Sequence, residues 1–339
     1  MVTETMELKG HILDSLILPK VLDEILEREG RFEILEMAVG ERSADMSRVR
    51  LRVEAQAPEA LEAILSRLRE QGAESLVAGE VALVPAPAGG VFPDGFYVST
   101  NFPTFIRVAE RWVEVRPVRM DCGVVYDPES EAARTVKFAQ VRRGDPVVVG
   151  DAGVRVEALS SARGDEAFEF MASSVSSEKP KTAMIRRIAA EMGAIRARGG
   201  KILVVAGPAV VHTGAGPHLV RLIDRGYVNV LFAGNALAVH DIEQALFGTA
   251  LGIHVEDGIP ALAGHEHHIR AINAIRGAGG IAAAVETGLV TSGIMHACVR
   301  RGIDIVLAGS IRDDGPLPEV VTDVLQAQRL MAEKVEGCE

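Results

Sequence analysis

The chain has 339 residues, 48 % hydrophobic, 24 % charged and only 4 % aromatic, with a formal net charge of −11. That length allows more than one domain with a real core, and a core of small aliphatic residues suits parallel sheets flanked by helices. The acidic balance, with no basic stripe carrying interleaved aromatics, excludes nucleic acid and anionic membrane as main partners.

The opening residues, MVTETMELKG, lack a cationic segment followed by an apolar one, so no signal peptide is expected. The longest apolar stretch, Ile202 to Val211, is about half of what a bilayer span requires. Cys122, Cys298 and Cys338 are scattered, odd in number and without CxxC spacing, which fits a reducing cytoplasm. Leu18 to Arg28 and Ala60 to Gln71 carry apolar residues at helical spacing. Between them lie two strand-like runs, at 32–37 and 49–53, and a third strand is expected near 75–83. Helix, two strands, helix and strand describe a split βαβ unit, read as a packing or oligomerisation module.

The Pro- and Gly-rich segment 85–95 marks a boundary. Short β-like pieces follow at 96–100, 111–115, 122–126 and 146–150, giving a mostly β middle unit. From 180 to 197 a helix is expected, with Met184, Ile188, Met192 and Ile195 on one face; strands and helices then alternate to the end. The fold class is thus α/β, with a Rossmann-like C-terminal parallel sheet preceded by a small α+β unit and a mostly β unit. The boundaries are placed at 1–88, 89–165 and 166–339.

Three segments of this last region end alike: ILVVAGP (202–208), VNVLFAGN (228–235) and IDIVLAGS (303–310). Each is a short apolar run stopping at Ala-Gly, and open α/β sheets bind ligands beyond the carboxyl ends of their strands. Gly207, Pro208, Thr213 and Gly214 after the first strand, with Gly309 and Ser310 after the third, are candidate nucleotide contacts. The bland alternative is that these glycines only make tight βα turns. After the third run, Arg312-Asp313-Asp314 places two carboxylates beside an arginine. Asp313 and Asp314 are candidate catalytic residues, one of them a proton acceptor and Asp314 also a cofactor contact, against the alternative of helix capping. His265-Glu266-His267-His268 lacks the spacing of metal ligands, so no metal is assigned and the segment reads as an exposed or substrate-side loop.

Long stretches then become recognisable: GHILDSLILPKVLDEI (10–25), FPDGFYVSTNFPT (92–104), FEFMASSVSSEKPK (168–181), AGPAVVHTGAG (206–216), FAGNALAVHDIE (232–243) and LAGSIRDDGPLPEVVTDV (307–324). Across essentially the whole chain the sequence resembles the archaeal-type NAD-dependent ornithine cyclodeaminases. The same region forms the C-terminal part of the bifunctional arginine dihydrolase/ornithine cyclodeaminases and carries the lysine-oxoglutarate reductase/saccharopine dehydrogenase (LOR/SDH) conserved region. The resemblance implies conversion of L-ornithine to L-proline and ammonia, with NAD recycled within each turnover. It places cofactor contacts at Asn235, Ala236 and Asp314, and substrate-side residues at Asn101, Asp121, Cys122, Glu178 and Lys179. Lys179 is further offered as a catalytic clamp on the substrate carboxylate, or else as a snorkelling surface lysine. The family pattern runs several tens of residues beyond Glu339, which implies that part of the nicotinamide site lies there; a guanidine-hydrolysing N-terminal domain has no counterpart. An amino-acid substrate and a homo-oligomer are the expected partners. The alternatives are a saccharopine-type or other amino-acid dehydrogenase, and a nucleotide-binding regulator without turnover.

Overall fold

A computed structural model describes residues 1–10, 17–40, 47–70, 73–75, 79–156, 181–255, 261, 264–310 and 315–339. The chain divides into two compact units, residues 1–172 and 173–339.

The first unit begins with β1 (Val2–Gly10), α1 (Ile17–Glu27), β2 (Arg31–Ala38), β3 (Ser47–Ala55), α2 (Pro58–Glu70) and β4 (Glu74–Ser75). Its antiparallel sheet runs β2-β3-β1-β4, so the split βαβ reading holds with one strand added. β1 was not expected. Its inward residues Met6 and Leu8 join the core, whereas intervening Thr5 and Glu7 lie on the other face and dilute the apolar signal. β3 shows the same alternation clearly. Val49, Leu51 and Val53 are fully buried with Ile25, Ile64, Leu65 and Leu68 of the two helices. Arg48, Arg50 and Arg52 project oppositely and meet Glu36, Glu7 and Glu33.

Next come β5 (Ala82–Pro85), β6 (Thr104–Val108), β7 (Arg111–Glu114), β8 (Gly123–Asp127), β9 (Ala132–Val136), β10 (Pro146–Val149) and β11 (Val154–Val156). They form two antiparallel sheets, β5-β10-β8-β9 and β11-β6-β7. Residues 96–100, expected as a strand, contribute only the isolated bridges Phe96–Val149 and Val98–Gly123. Phe92 stacks on Phe96 at 4.4 Å and meets Phe138 edge-on at 4.9 Å, a compact aromatic knot in an otherwise aromatic-poor protein.

The second unit contains α3 (Lys181–Ala197), β12 (Leu203–Ala206), α4 (Ala209–His212), α5 (Gly216–Asp224), β13 (Val230–Gly234) and α6 (Asn235–Phe247). It continues through β14 (Thr249–Ala250), β15 (Ile253–His254), α7 (His267–Ala278), α8 (Ile281–Glu286) and α9 (Gly293–Arg301). It closes with β16 (Asp304–Ala308), β17 (Val320–Val321) and α10 (Val324–Val335). The four-stranded sheet β12-β13-β16-β17 is parallel throughout. α6 is buried on nearly every side, its polar residues Asn235, His240, Asp241 and Glu243 included. Val320–Val321 pairs with β16, and Asp323 caps α10 by accepting from the Gln326 amide at 2.9 Å. The helix expected over 180–197 forms as α3, but Met184 and Ile188 of its apolar face are exposed. No helix among the described residues is long and apolar enough to cross a membrane.

Candidate active site

The three Ala-Gly endings lie side by side. β12, β13 and β16 are consecutive neighbours, with Ala206 opposite Ala233 and Gly234 opposite Ala308. Gly207 and Gly234 therefore stand level with Ala308 at the carboxyl edge of the sheet, and Gly309 follows one residue further along. A Cβ added at Gly207 or Gly214 would meet nothing within 4 Å, so open space lies over that loop. Gly207, Gly214, Thr213, Ala236 and Ser310 are exposed, and Pro208 is half-buried at the N-cap of α4. The Thr213 hydroxyl donates to Ala209 O at 2.7 Å, and Gly309 N to Val321 O at 2.9 Å.

α6 starts directly at the end of β13 with Gly234 as its N-cap, extended and without a side-chain cap. Its first amides and the positive end of its dipole face the same edge. Asn235 is buried, and its Oδ1 accepts from Leu317 N at 3.1 Å, tying the second strand end to the segment after the third. Asp313 and Asp314 lie outside the described residues, as do Glu178 and Lys179. In the first unit Asn101 is exposed, whereas Asp121 and Cys122 are buried in a turn stitched by Ser99. Asp121 N donates to Ser99 O at 2.9 Å, and Cys122 N to Ser99 Oγ at 3.3 Å.

Behind the strand ends is a polar network that sequence reasoning missed. The Glu243 side chain has no exposed surface. Its carboxylate accepts from His240 Nδ1 at 2.8 Å, Thr249 Oγ1 at 2.9 Å, Gly252 N at 2.9 Å and Leu251 N at 3.2 Å. Burial alone would raise its pKa, but the bonds from His240 and the Gly252 amide outweigh it and hold the group below the usual range. Thr249 Oγ1 also lies 2.8 Å from His267 Nδ1. With its one proton committed to the carboxylate, the hydroxyl accepts from His267 there. His212 of α4 meets the His240 ring at 4.9 Å, 62° between planes, and His268 lies 6.5 Å from His240.

The network closes because two glycines let backbones touch. A Cβ on Gly252 would fall 2.4 Å from the Gly264 carbonyl carbon, and one on Gly264 2.3 Å from Gly252 O. That approach brings the start of α7, with His267 and His268, toward α6. Only the i,i+3 spacing of His240 and Glu243 was available to signal any of this from the sequence.

Neighbouring Asp241 caps a different helix. Its two oxygens accept from Ile294 N and Met295 N, each at 2.7 Å, at the start of α9. Burial outweighs these bonds and pushes its carboxyl up to about 6. Burial, with the Asp241 charge added, pushes the Cys298 thiol up to about 12. Asp241 also lines a cavity of about 700 Å³ together with Arg221, Gln244, His254 and Ser292. Gly207, Asn235, Ala236 and Gly309 are not among its walls, so it is separate from the strand-end edge.

Known proteins match along the whole chain. Residues 3–102 match the LOR/SDH bifunctional enzyme conserved region, and residues 103–185 the arginine dihydrolase ArgZ-like C-terminal first region. Residues 186–339 match the ArgZ-like C-terminal Rossmann fold. The ornithine cyclodeaminase of Methanothermobacter thermautotrophicus is 50 % identical over 335 residues, covering 98 % of this chain and 82 % of its own. The chain belongs to the ornithine cyclodeaminase family. A second member, from Methanopyrus kandleri, is 50 % identical over 98 % of this chain and 81 % of its own. Among solved structures, the ternary complex of AgrE with ornithine and NAD+ superposes with a TM-score of 0.85 at 39 % identity. This family member covers 99 % of the present chain, which spans 48 % of AgrE.

Proposed function

We propose that this protein is an NAD-dependent ornithine cyclodeaminase, converting L-ornithine to L-proline and ammonia. The observation that carries the reading is the clustering of Gly207, Gly234 and Gly309 at the carboxyl ends of three adjacent parallel strands, beside the N-terminus of α6, which has no side-chain cap. Such an edge accepts a dinucleotide: open space over glycine admits the pyrophosphate, and helix amides complement its charge. AgrE, of the same fold, is known in a ternary complex with ornithine and NAD+.

When bound, NAD supplies a hydride acceptor for the substrate α-carbon and a donor to the ring closed afterwards. The chain's own residues bind and orient. Gly207, Pro208, Thr213 and Gly214 would frame one side of the cofactor, Asn235 and Ala236 the helix end, and Gly309, Ser310 and Asp314 the third strand end. Asn101, Asp121, Cys122, Glu178 and Lys179 are the proposed substrate-side residues, with Lys179 on the carboxylate. Asp313 and Asp314 are proposed to serve catalysis.

The experiment is NAD titration of the Ala236→Glu variant by calorimetry. Ala236 is exposed at the helix end, so a carboxylate there should repel the pyrophosphate and weaken binding by about tenfold or more without unfolding the protein. Unchanged affinity would remove the cofactor from this edge. A homo-oligomer is proposed from edge strand β2, which leaves Ile34, Leu35 and Met37 exposed; a monomer in light scattering would refute it. The three cysteines, none of them in a disulfide, support a reducing cytoplasmic setting.

A further inference from the structure

We propose that His212 is the residue that accepts a proton from the substrate ammonium at the strand-end edge, and that His240 and Glu243 are positioning residues that hold it ready. This rests on the ornithine cyclodeaminase reading, whose chemistry requires an amine to lose a proton before its carbon is oxidised.

His212 closes α4, the short helix that follows β12, within the glycine-rich loop of the edge. Its side chain is half-buried, and its Nε2 is buried with no hydrogen-bond partner among the described residues. The structure places the His240 ring beside it, edge-on at 4.9 Å. Nε2 is closed off from any ligand, so Nδ1 is the ring nitrogen left to meet one, and the proton of the neutral ring is assigned to Nε2.

His240 is fixed in turn. Its Nδ1 donates to Glu243, and that carboxylate is immobilised by the Thr249 hydroxyl and two turn amides. Of the groups around His212, Glu243 favours positive charge on the ring, whereas burial and His240 oppose it. The charged groups around this pair are Glu243 on α6, His267 and His268 on α7, and His254, His265 and Arg270 around His267. Burial and the His240 charge lower the His212 pKa, and Glu243 raises it. The ring is thus neutral at pH 7, the form able to accept.

In the step itself the α-ammonium nitrogen gives one proton to His212 Nδ1 and keeps the electron pair of the broken N–H bond. The imidazolium charge is balanced through His240 by Glu243. The same proton returns to that nitrogen as it departs as ammonia, so His212 ends the turnover neutral and no electrons pass through it.

The test combines kinetics with nitrogen NMR on the whole protein. The Asn side chain places its amide oxygen near Nδ1, so His212→Asn can still accept a hydrogen bond but cannot take the proton. It should keep KM for ornithine within about threefold, lose about 100-fold in kcat, and lose the acid limb of the pH–rate profile. In 15N-histidine spectra of the wild type, His212 should show its proton on Nε2. In Glu243→Gln its titration should move to lower pH. A His212→Asn enzyme with kcat within about threefold of wild type, or a proton found on Nδ1, would overturn the assignment. Should the wild type not turn over ornithine at all, the functional reading fails. The NMR arms still decide the tautomer and the influence of Glu243 independently of turnover.

Discussion

Glu243 is a fully buried charge whose oxygens satisfy a histidine, a hydroxyl and two amides. Leu251, one of those amide donors, has φ +54, a left-handed conformation that a leucine adopts only when its surroundings hold it there. Glu243→Gln would turn an NH2 group toward donors and strip the charge from the network. Urea denaturation should show about 3 kcal/mol of lost stability; a loss under about 1 kcal/mol would mean the network is not what fixes the turn. Beside it, Gly252→Ala combines φ +72 with a contact against the Gly264 backbone. It should destabilise by about 3 kcal/mol and displace the α7 histidines, which their NMR shifts would report.

At the level of elements, α9 begins on Asp241. Gly293 allows this: its φ is +98, and a Cβ there would lie 2.8 Å from Asp241 Oδ1. The carboxyl is pushed up from 3.8 to about 6 in the folded protein. A raised folded-state value contributes stability that is present below the unfolded pKa and lost as pH rises through the folded one. The contribution should fall by about 2 kcal/mol between pH 4 and pH 6. Glu243, Glu7 and Glu24, all lowered, act in the opposite sense as acid is added. The difference between wild type and Asp241→Asn isolates the single group. That difference should slope with pH across this window, and a flat one would show that the two α9 amides keep Asp241 ionised.

The elements also show what sequence could and could not reveal. The strand ends were legible because a short apolar run stopped by Ala-Gly is a local signal, and their adjacency follows from ordinary parallel winding. β1 was hidden by its Thr and Glu residues. β17 was hidden because two valines are too short to signal a strand, and only pairing with β16 makes them one. The His212–His240–Glu243–Thr249–His267 network was illegible for a different reason. It joins positions up to 55 residues apart through a contact between two glycine backbones, and no local pattern encodes such a meeting. The histidine run at 265–268 was noticed, but its meaning depends on α6, to which nothing in its own spacing points.

The whole molecule carries a split βαβ unit, a β-rich unit and a parallel sheet whose open edge suits a dinucleotide. On the proposed reading the hydride leaves and returns within one turnover on ornithine. The most direct measurement uses ornithine deuterated at the α-carbon, the whole protein and a catalytic amount of NAD. The account predicts proline and ammonia in equal amounts, many turnovers per NAD, and deuterium retained at the α-carbon of proline. Accumulation of NADH with an open-chain oxo acid, or loss of the deuterium to solvent, would contradict it.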